Sequence, residues 1–256
     1  MGKFGKFGIL GRGMAVNTFK TALIKKEKAS NDAWKFFFER PPKFEYGAGQ
    51  YIKMWMDLRK PDNRGKTRYF TLSSSPMEEH LLVTTRILKS TFKLKLGSLN
   101  IGTIVKMRGP WGDFVLRQAQ DKKETRPLVF IAGGIGMTPF RSMLKFAEET
   151  NFNTPMTLLV SYKTPDQILF KEELSEIAKK NPSIKIITTI TEPDNRNWKG
   201  ETGRIDEQML KRHIAKLQDN LYYIAGPDPL VEAIEKLLLG MKIKKDQILT
   251  DGFPGY

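Results

Sequence analysis

The sequence predicts an α+β protein of two domains, an N-terminal antiparallel β-barrel followed by an α/β doubly wound parallel sheet. Three observations carry this. From Phe19 to Arg117 short strand patterns alternate with turn residues. From Leu128 onward strands alternate with amphipathic helices, as parallel crossover units require. Between the two, RQAQDKKETRP (Arg117 to Pro127) is polar and charged and reads as a linker. The expected boundaries are 1–17 for a basic leader, 18–120 for the barrel domain and 121–256 for the α/β domain.

In the first half FKTALIKKEKA, WKFFFERP, QYIKMWMDL, TRYFTLSS, HLLVTTRIL and TIVKMRGP read as strands. SND, PPKF, GAG and PDNRG supply the turns between them. Six short strands with one helical interlude suggest a small closed barrel. In the second half LVFIAG, MTLLVSY, SIKIITTIT and NLYYIAG read as strands. PFRSMLKFAEE places Phe140, Met143, Leu144 and Ala147 at helical spacing, and FKEELSEIAKK does the same with Phe170, Leu174, Ile177 and Ala178. RIDEQMLKRHIAKL and DPLVEAIEKLLLG are the remaining helices, the last one stopped by Gly240.

Composition narrows the chemistry. Of 256 residues, 40% are hydrophobic and 28% charged, the balance of a globular chain. With no cysteine, disulfides, thiolate-held iron–sulfur clusters, Cys-type zinc sites and cysteine nucleophiles are all excluded. The two histidines, His80 and His213, are far apart and read as surface residues, so no metal site and no Ser-His-Asp triad is expected. A net charge of +15 suits nucleic acid, an anionic membrane, an acidic protein or a phosphate-rich small molecule, and equally a plain solvated lysine surface. No recognised nucleic-acid module is visible, and nucleic acid is not an expected partner. No apolar run approaches the roughly 20 residues of a membrane span. The leader MGKFGKFGILGRGMAV lacks a signal-peptide core; it reads as a flexible segment or a weak electrostatic contact. A cytoplasmic monomer is expected.

Two turns carry chemistry. In LVFIAGGIGMTP a strand runs into Gly133, Gly134 and Gly136, and a helix starts at once, with Thr138 placed to cap it and Pro139 in its first turn. Such a turn lets backbone N–H groups approach a phosphate closely. The spacing is not that of the usual dinucleotide fingerprint, and a plain tight turn uses the same residues. YYIAGPDPL repeats the device: Ala225 ends the strand, Gly226 and Pro227 turn, and Asp228 is placed to cap the next helix. Both turns fall at the carboxyl ends of strands, where open α/β sheets bind ligands.

RYFTLSSSP, in the barrel half, sets a cation beside two aromatics and four hydroxyls. Arg68 can clamp a phosphate, Phe70 can lie on a flat ring and Thr71 can bond a ring nitrogen or sugar hydroxyl. Phosphate, polyol and flat heterocycle together describe a flavin nucleotide. A barrel strand with a salt-bridged arginine explains the same residue types. Strict alternation sets Arg68 and Phe70 on one face and Thr71 on the other, so the flavin reading asks for a bulge, a twist or backbone contacts.

The ordered set RYFTLSSSP, RILKSTFK, MRGPWGDF, IAGGIGMTP, YIAGPDP and DGFPGY resembles the ferredoxin–NADP reductase-like superfamily of flavoprotein reductases. The resemblance runs from Phe19 to Tyr256 and implies an FAD-binding barrel followed by an NAD(P)-binding domain. It implies that Arg68 holds the FAD pyrophosphate and that Tyr69 and Phe70 lie by the cofactor, with Thr71 near flavin N5. Ser90, Thr91, Phe92 and Lys93 would open the short helix that cradles the pyrophosphate. Gly133, Gly134, Gly136, Thr138 and Pro139 would receive the nicotinamide nucleotide. A 2′-phosphate wants Arg, Lys or Ser nearby, and Ser161 and Lys163 in LVSYK supply those residue types. Ala225, Gly226, Pro227 and Asp228 would sit by the nicotinamide. Phe253 or Tyr256 would cover the flavin, with Asp251 near the nicotinamide.

Three departures stand out. Phe70 replaces a Tyr common in the family, Ala225 replaces a Cys, and Glu192 stands where NADP-specific members often carry a cation. The nicotinamide is therefore left as NAD(P)H. The resemblance implies a reductase passing electrons to a separate acceptor: ferredoxin, flavodoxin or a partner oxygenase. Two alternatives are a subunit active only when docked to its partner, and a basic nucleic-acid-binding protein on a nucleotide-binding fold.

Overall fold

The computed structural model describes residues 16–88, 90–116, 124–193 and 198–253. Six antiparallel strands form the first sheet: β1 (Asn17–Lys28), β2 (Ala33–Glu39), β3 (Tyr51–Trp55), β4 (Thr67–Thr71), β5 (His80–Arg86) and β6 (Ile104–Trp111). Their order is β4-β3-β6-β1-β2-β5. The sheet curls until its ends meet, with Leu72 bridging to Val83. That single bridge nearly closes a barrel. It also leaves most of the outer edge of β4 without a strand partner, as an edge strand has.

The inward positions follow the period of two. Leu23, Phe36, Phe38, Ile52, Met54, Phe70, Leu81, Val83, Val105 and Met107 fill the barrel. Helix α1 (Thr91–Gly97) plugs one end with Phe92 and Leu96.

The second sheet holds β7 (Leu128–Gly133), β8 (Met156–Tyr162), β9 (Ile184–Ile190), β10 (Glu201–Thr202), β11 (Leu221–Gly226) and β12 (Ile248–Gly252). Its order is β10-β9-β8-β7-β11-β12, and the paired strands are parallel. β7 and β11 are buried at every position, as strands covered on both faces must be. The crossover helices are α2 (Met137–Glu149), α3 (Lys171–Lys180), α4 (Glu207–His213) and α5 (Asp228–Gly240). The predicted strands and helices are all present. The helix expected over 204–217 is shorter: Asp206 caps it by accepting from the Met209 amide at 2.8 Å, and Ile214 leaves it for the core. β10 and β12 were not among the predicted strands.

One apolar cluster crosses between the sheets. Ala33, Leu82, Phe114 and Leu116 from the barrel side pack with Phe130, Phe140 and Tyr223. Phe130 stacks on Phe140 at 4.9 Å, and the Tyr223 hydroxyl donates to the Val115 carbonyl at 3.1 Å. Arg141 of α2 pairs with Glu78 and Glu173 and donates to the Ser73 carbonyl at 2.9 Å. Ser142 donates to the Ser74 carbonyl at 2.6 Å. The hydroxyl-rich turn after β4 is thereby fixed to the nucleotide sheet.

Candidate functional site

Strand β4 pairs with β3 in unbroken register from Tyr51↔Thr71 to Trp55↔Thr67. It has no bulge, so alternation is strict. Phe70 points into the barrel and tilts against Phe92 at 5.9 Å; both rings are buried. Phe70 and Phe92 both stand in the barrel core, Phe92 in the first turn of α1. The exposed aromatic surface lies on the opposite face. There Tyr69, 53% exposed, meets Tyr51 edge-on at 5.8 Å and Trp111 at 6.4 Å. Thr71 stands beside Tyr51 on that face. Arg68 lies on the inner side, 3% exposed, and only groups at the free edge of β4 can be approached from both faces.

Around Arg68 a cationic cradle is built. Its guanidinium donates from Nη1 to the carbonyls of Arg64, Gly65 and Thr67 and from Nη2 to Asp62 at 2.6 Å. The Nε is buried without a partner among the described residues. Ser90 and Thr91 aim their hydroxyls at the same Asp62 carboxylate, at 3.1 and 3.2 Å. Arg68 holds the Asp62 carboxyl down at about 2. Lys93 is buried one turn on. Burial, then the charges of Arg64, Arg86 and Arg68, push its amine down to about 7. Sequence reasoning missed Asp62, Arg64 and Arg86; PDNRG was legible only as a turn.

The two glycine turns lie against each other. A Cβ on Gly136 would collide with the Ala225 carbonyl and the Gly226 Cα, so only glycine permits this approach. Gly134 adopts φ +52° and has open space where a side chain would project. It lines a small crevice with Ser30, Asp32, Arg86 and Tyr162, between the barrel and the nucleotide sheet. Two capping expectations are corrected. Thr138 lies inside α2, behind a 3₁₀ turn over Gly134–Gly136, and its hydroxyl donates back to the Ile135 carbonyl at 3.0 Å. Pro139 follows it, buried. Asp228 is the first residue of α5, with Pro227 as the cap, and its carboxylate lies against Gly252.

At the junction, β11 and β12 set Ala225 opposite Asp251 and Gly226 opposite Gly252. The Phe253 amide donates to the Gly226 carbonyl at 2.9 Å. Burial and the nearby Asp113 carboxylate push Asp251 up to about 7. Asp251 in turn helps to raise the Tyr51 phenol, after burial. Tyr51, paired with Thr71 across β3 and β4, is thus within reach of the Asp251 charge. Tyr256 lies outside the described residues.

Ser161 pairs with Gly133 and Thr189 near the end of β8. Lys163 is exposed and pairs with Glu192 at 3.3 Å. His80 is half-buried, and His213 is more enclosed and meets Glu201 at 2.6 Å. A cavity of about 410 Å³ beneath α3, lined by Tyr162, Leu174 and Trp198, lies apart from the glycine turns. Among the described residues no helix is long and apolar enough to cross a membrane.

Family models agree with this architecture: an oxidoreductase FAD-binding domain matches residues 20–116 and an oxidoreductase NAD-binding domain matches 130–236. The chain is 28% identical over 240 residues to a flavohemoprotein of Oceanobacillus iheyensis, covering 90% of this chain and 58% of that protein. It is also 28% identical over 220 residues to the reductase component of a propane 2-monooxygenase of Mycolicibacterium smegmatis, covering 83% of this chain and 60% of that one. It therefore spans less than two thirds of either relative. In fold it matches the Amycolatopsis cytochrome P450 reductase GcoB with a TM-score of 0.81 at 17% identity, over 94% of this chain and 71% of that one. The chain is an FAD- and NAD-binding oxidoreductase, and it belongs to the ferredoxin–NADP reductase-like superfamily.

The residues present fit an FAD diphosphate. Arg64, Arg68, Arg86 and Lys93 concentrate positive charge, and the buried Arg68 Nε still has a proton to donate.

Proposed function

We propose that the chain is an NAD(P)H-dependent reductase that moves hydride between nicotinamide and FAD and hands electrons to a separate acceptor. One observation supports this reading: Tyr51, the strand partner of Thr71 in the barrel, feels the charge of Asp251, the strand partner of Ala225 in the nucleotide sheet. Bound FAD supplies the redox chemistry, taking two electrons as hydride and releasing them onward.

The chain's own residues bind and orient. Arg68 and Lys93, with the Ser90 and Thr91 hydroxyls, hold the diphosphate. The edge of β4 would offer backbone groups to the flavin ring, with Thr71 beside it. Tyr51 and Tyr69 give the flat surface that Phe70 does not. Gly133, Gly134 and Gly136, with Thr138 and Pro139 behind them, let the nicotinamide nucleotide approach the backbone, and Gly226 to Asp228 close the other side. Asp251, raised to about 7, would stand part-protonated beside the nicotinamide near neutral pH, and Phe253 would cover the ring. The linker expected over 117–127 falls between the two matched domains, and its residues 117–123 lie outside the described residues.

The pairing of Lys163 with Glu192 favours NADH, because it occupies the cation a 2′-phosphate would want with a carboxylate that suits a ribose diol. Relatives named as reductase components of monooxygenases favour an oxygenase partner. The net charge of +15 suits an acidic carrier such as ferredoxin or flavodoxin. Turnover with artificial dyes separates a free-standing reductase from a subunit that needs its partner.

Replacing Arg68 with Ala tests the cradle. FAD affinity should fall on the order of 10-fold or more, the worth of charge-assisted hydrogen bonds. Full flavin occupancy in that variant contradicts the assignment.

A further inference from the structure

The cradle already contains an anion, and it belongs to the chain. Asp62 Oδ1 accepts from Arg68 Nη2 at 2.6 Å and from the Arg64 amide at 3.0 Å. Its Oδ2 accepts from Ser90 Oγ at 3.1 Å and Thr91 Oγ1 at 3.2 Å. Four donors thus converge on two carboxylate oxygens. Three of those donors are the side chains read above as the diphosphate ligands. A carboxylate offers the same kind of acceptor to an arginine fork as a phosphate does.

Asp62 is also able to leave. It lies in the loop between β3 and β4, where Arg59, Lys60, Pro61, Asn63, Arg64 and Lys66 are exposed. Its own side chain is 23% exposed, whereas Arg68 is at 3%. Arg68 is fixed by three backbone carbonyls and stays, while Asp62 has a path to solvent.

We propose that Asp62 is a resident stand-in for the cofactor's diphosphate, which FAD must displace from Arg68, Ser90 and Thr91 in order to bind. This rests on the reading of those three residues as diphosphate ligands. The consequence is a reductase whose FAD affinity is set by competition with its own carboxylate. In the flavin-free protein Asp62 pairs with Arg68; in the loaded protein its side chain turns outward while the Arg64 and Gly65 carbonyls keep Arg68 in place.

The test uses full-length, flavin-stripped protein. FAD affinity is measured by quenching of flavin fluorescence, and inorganic pyrophosphate is the second probe. Asp62→Asn should bind both more tightly, by about 10-fold or more, the effect of removing about 1.4 kcal/mol of competition. Asp62→Glu, which keeps the anion, should stay near wild type. Unchanged or weaker binding in Asp62→Asn overturns the proposal and makes Asp62 a brace that orients Arg68. Arg68→Ala separates the two readings: if it keeps its FAD, the cradle itself is misassigned whatever Asp62→Asn does.

Wild-type protein gives an independent readout by amide hydrogen exchange. The Arg64 amide, bonded to Asp62 in the empty cradle, should exchange faster when pyrophosphate is added. Slower exchange there overturns the displacement.

Discussion

Lys93 is an amine buried among three arginines, and its charge carries a pH signature. Burial and those charges lower it to about 7 from 10.5. Between these values the unfolded chain binds a proton that the folded chain does not. Stability of the flavin-free protein should therefore rise with pH through that window and owe no pH dependence to Lys93 below it. Denaturant midpoints at both ends of the window, for wild type and Lys93→Met, check this. Equal slopes in the two proteins would show that Lys93 is ordinary. At this scale the sequence was partly legible. Residue type alone offered Arg68 as a phosphate clamp, and motif order added Lys93 as a candidate. The partner that organises them, Asp62, looked like any turn carboxylate, because its contacts with Ser90 and Thr91 lie 28 and 29 residues away.

The elements themselves were readable, since period-two and period-3.6 patterns are local. The six barrel strands, α2, α3 and α5 follow from which side chains recur on one face. What escaped was set by contacts between segments. β10 is two residues long and exists through its pairing with β9. β12 lies under the terminal DGFPGY motif and is held by β11. Thr138 looked like a helix cap, but Gly134–Gly136 winds a turn ahead of it and takes the helix start. That turn depends on Gly136, which touches the backbone of the neighbouring loop. Gly136→Ala should cost about 1–3 kcal/mol of stability, because backbone must move to admit the methyl group. It should also weaken NAD(P)H binding while leaving FAD bound. A variant with unchanged melting temperature and nucleotide affinity would show that the two loops tolerate separation.

For the whole molecule, the orientation of barrel against sheet decides how Thr71 and Asp251 are placed relative to each other. That orientation is held by the Phe114, Phe130, Phe140 and Tyr223 cluster and by Arg141, which joins Glu78 to Glu173. Arg141 is buried, and its removal leaves two carboxylates unpaired at the junction. Arg141→Ala should destabilise the protein by about 3–5 kcal/mol, as breaking a buried pair does. Chemical denaturation checks it; a loss below about 1 kcal/mol would place the pair with weak surface bridges. None of this was visible in the sequence. Glu78 follows the serine turn by three residues, but nothing local marks it as the partner of a helix 63 residues away.

The most direct test of the central reading is the visible absorption spectrum of the purified protein, before and after anaerobic addition of NADH or NADPH. The account predicts a flavin spectrum that bleaches with reduced nicotinamide, faster with NADH because Glu192 faces the Lys163 amine. A colourless protein that takes up no added FAD, or a bound flavin that neither nucleotide bleaches, would contradict it.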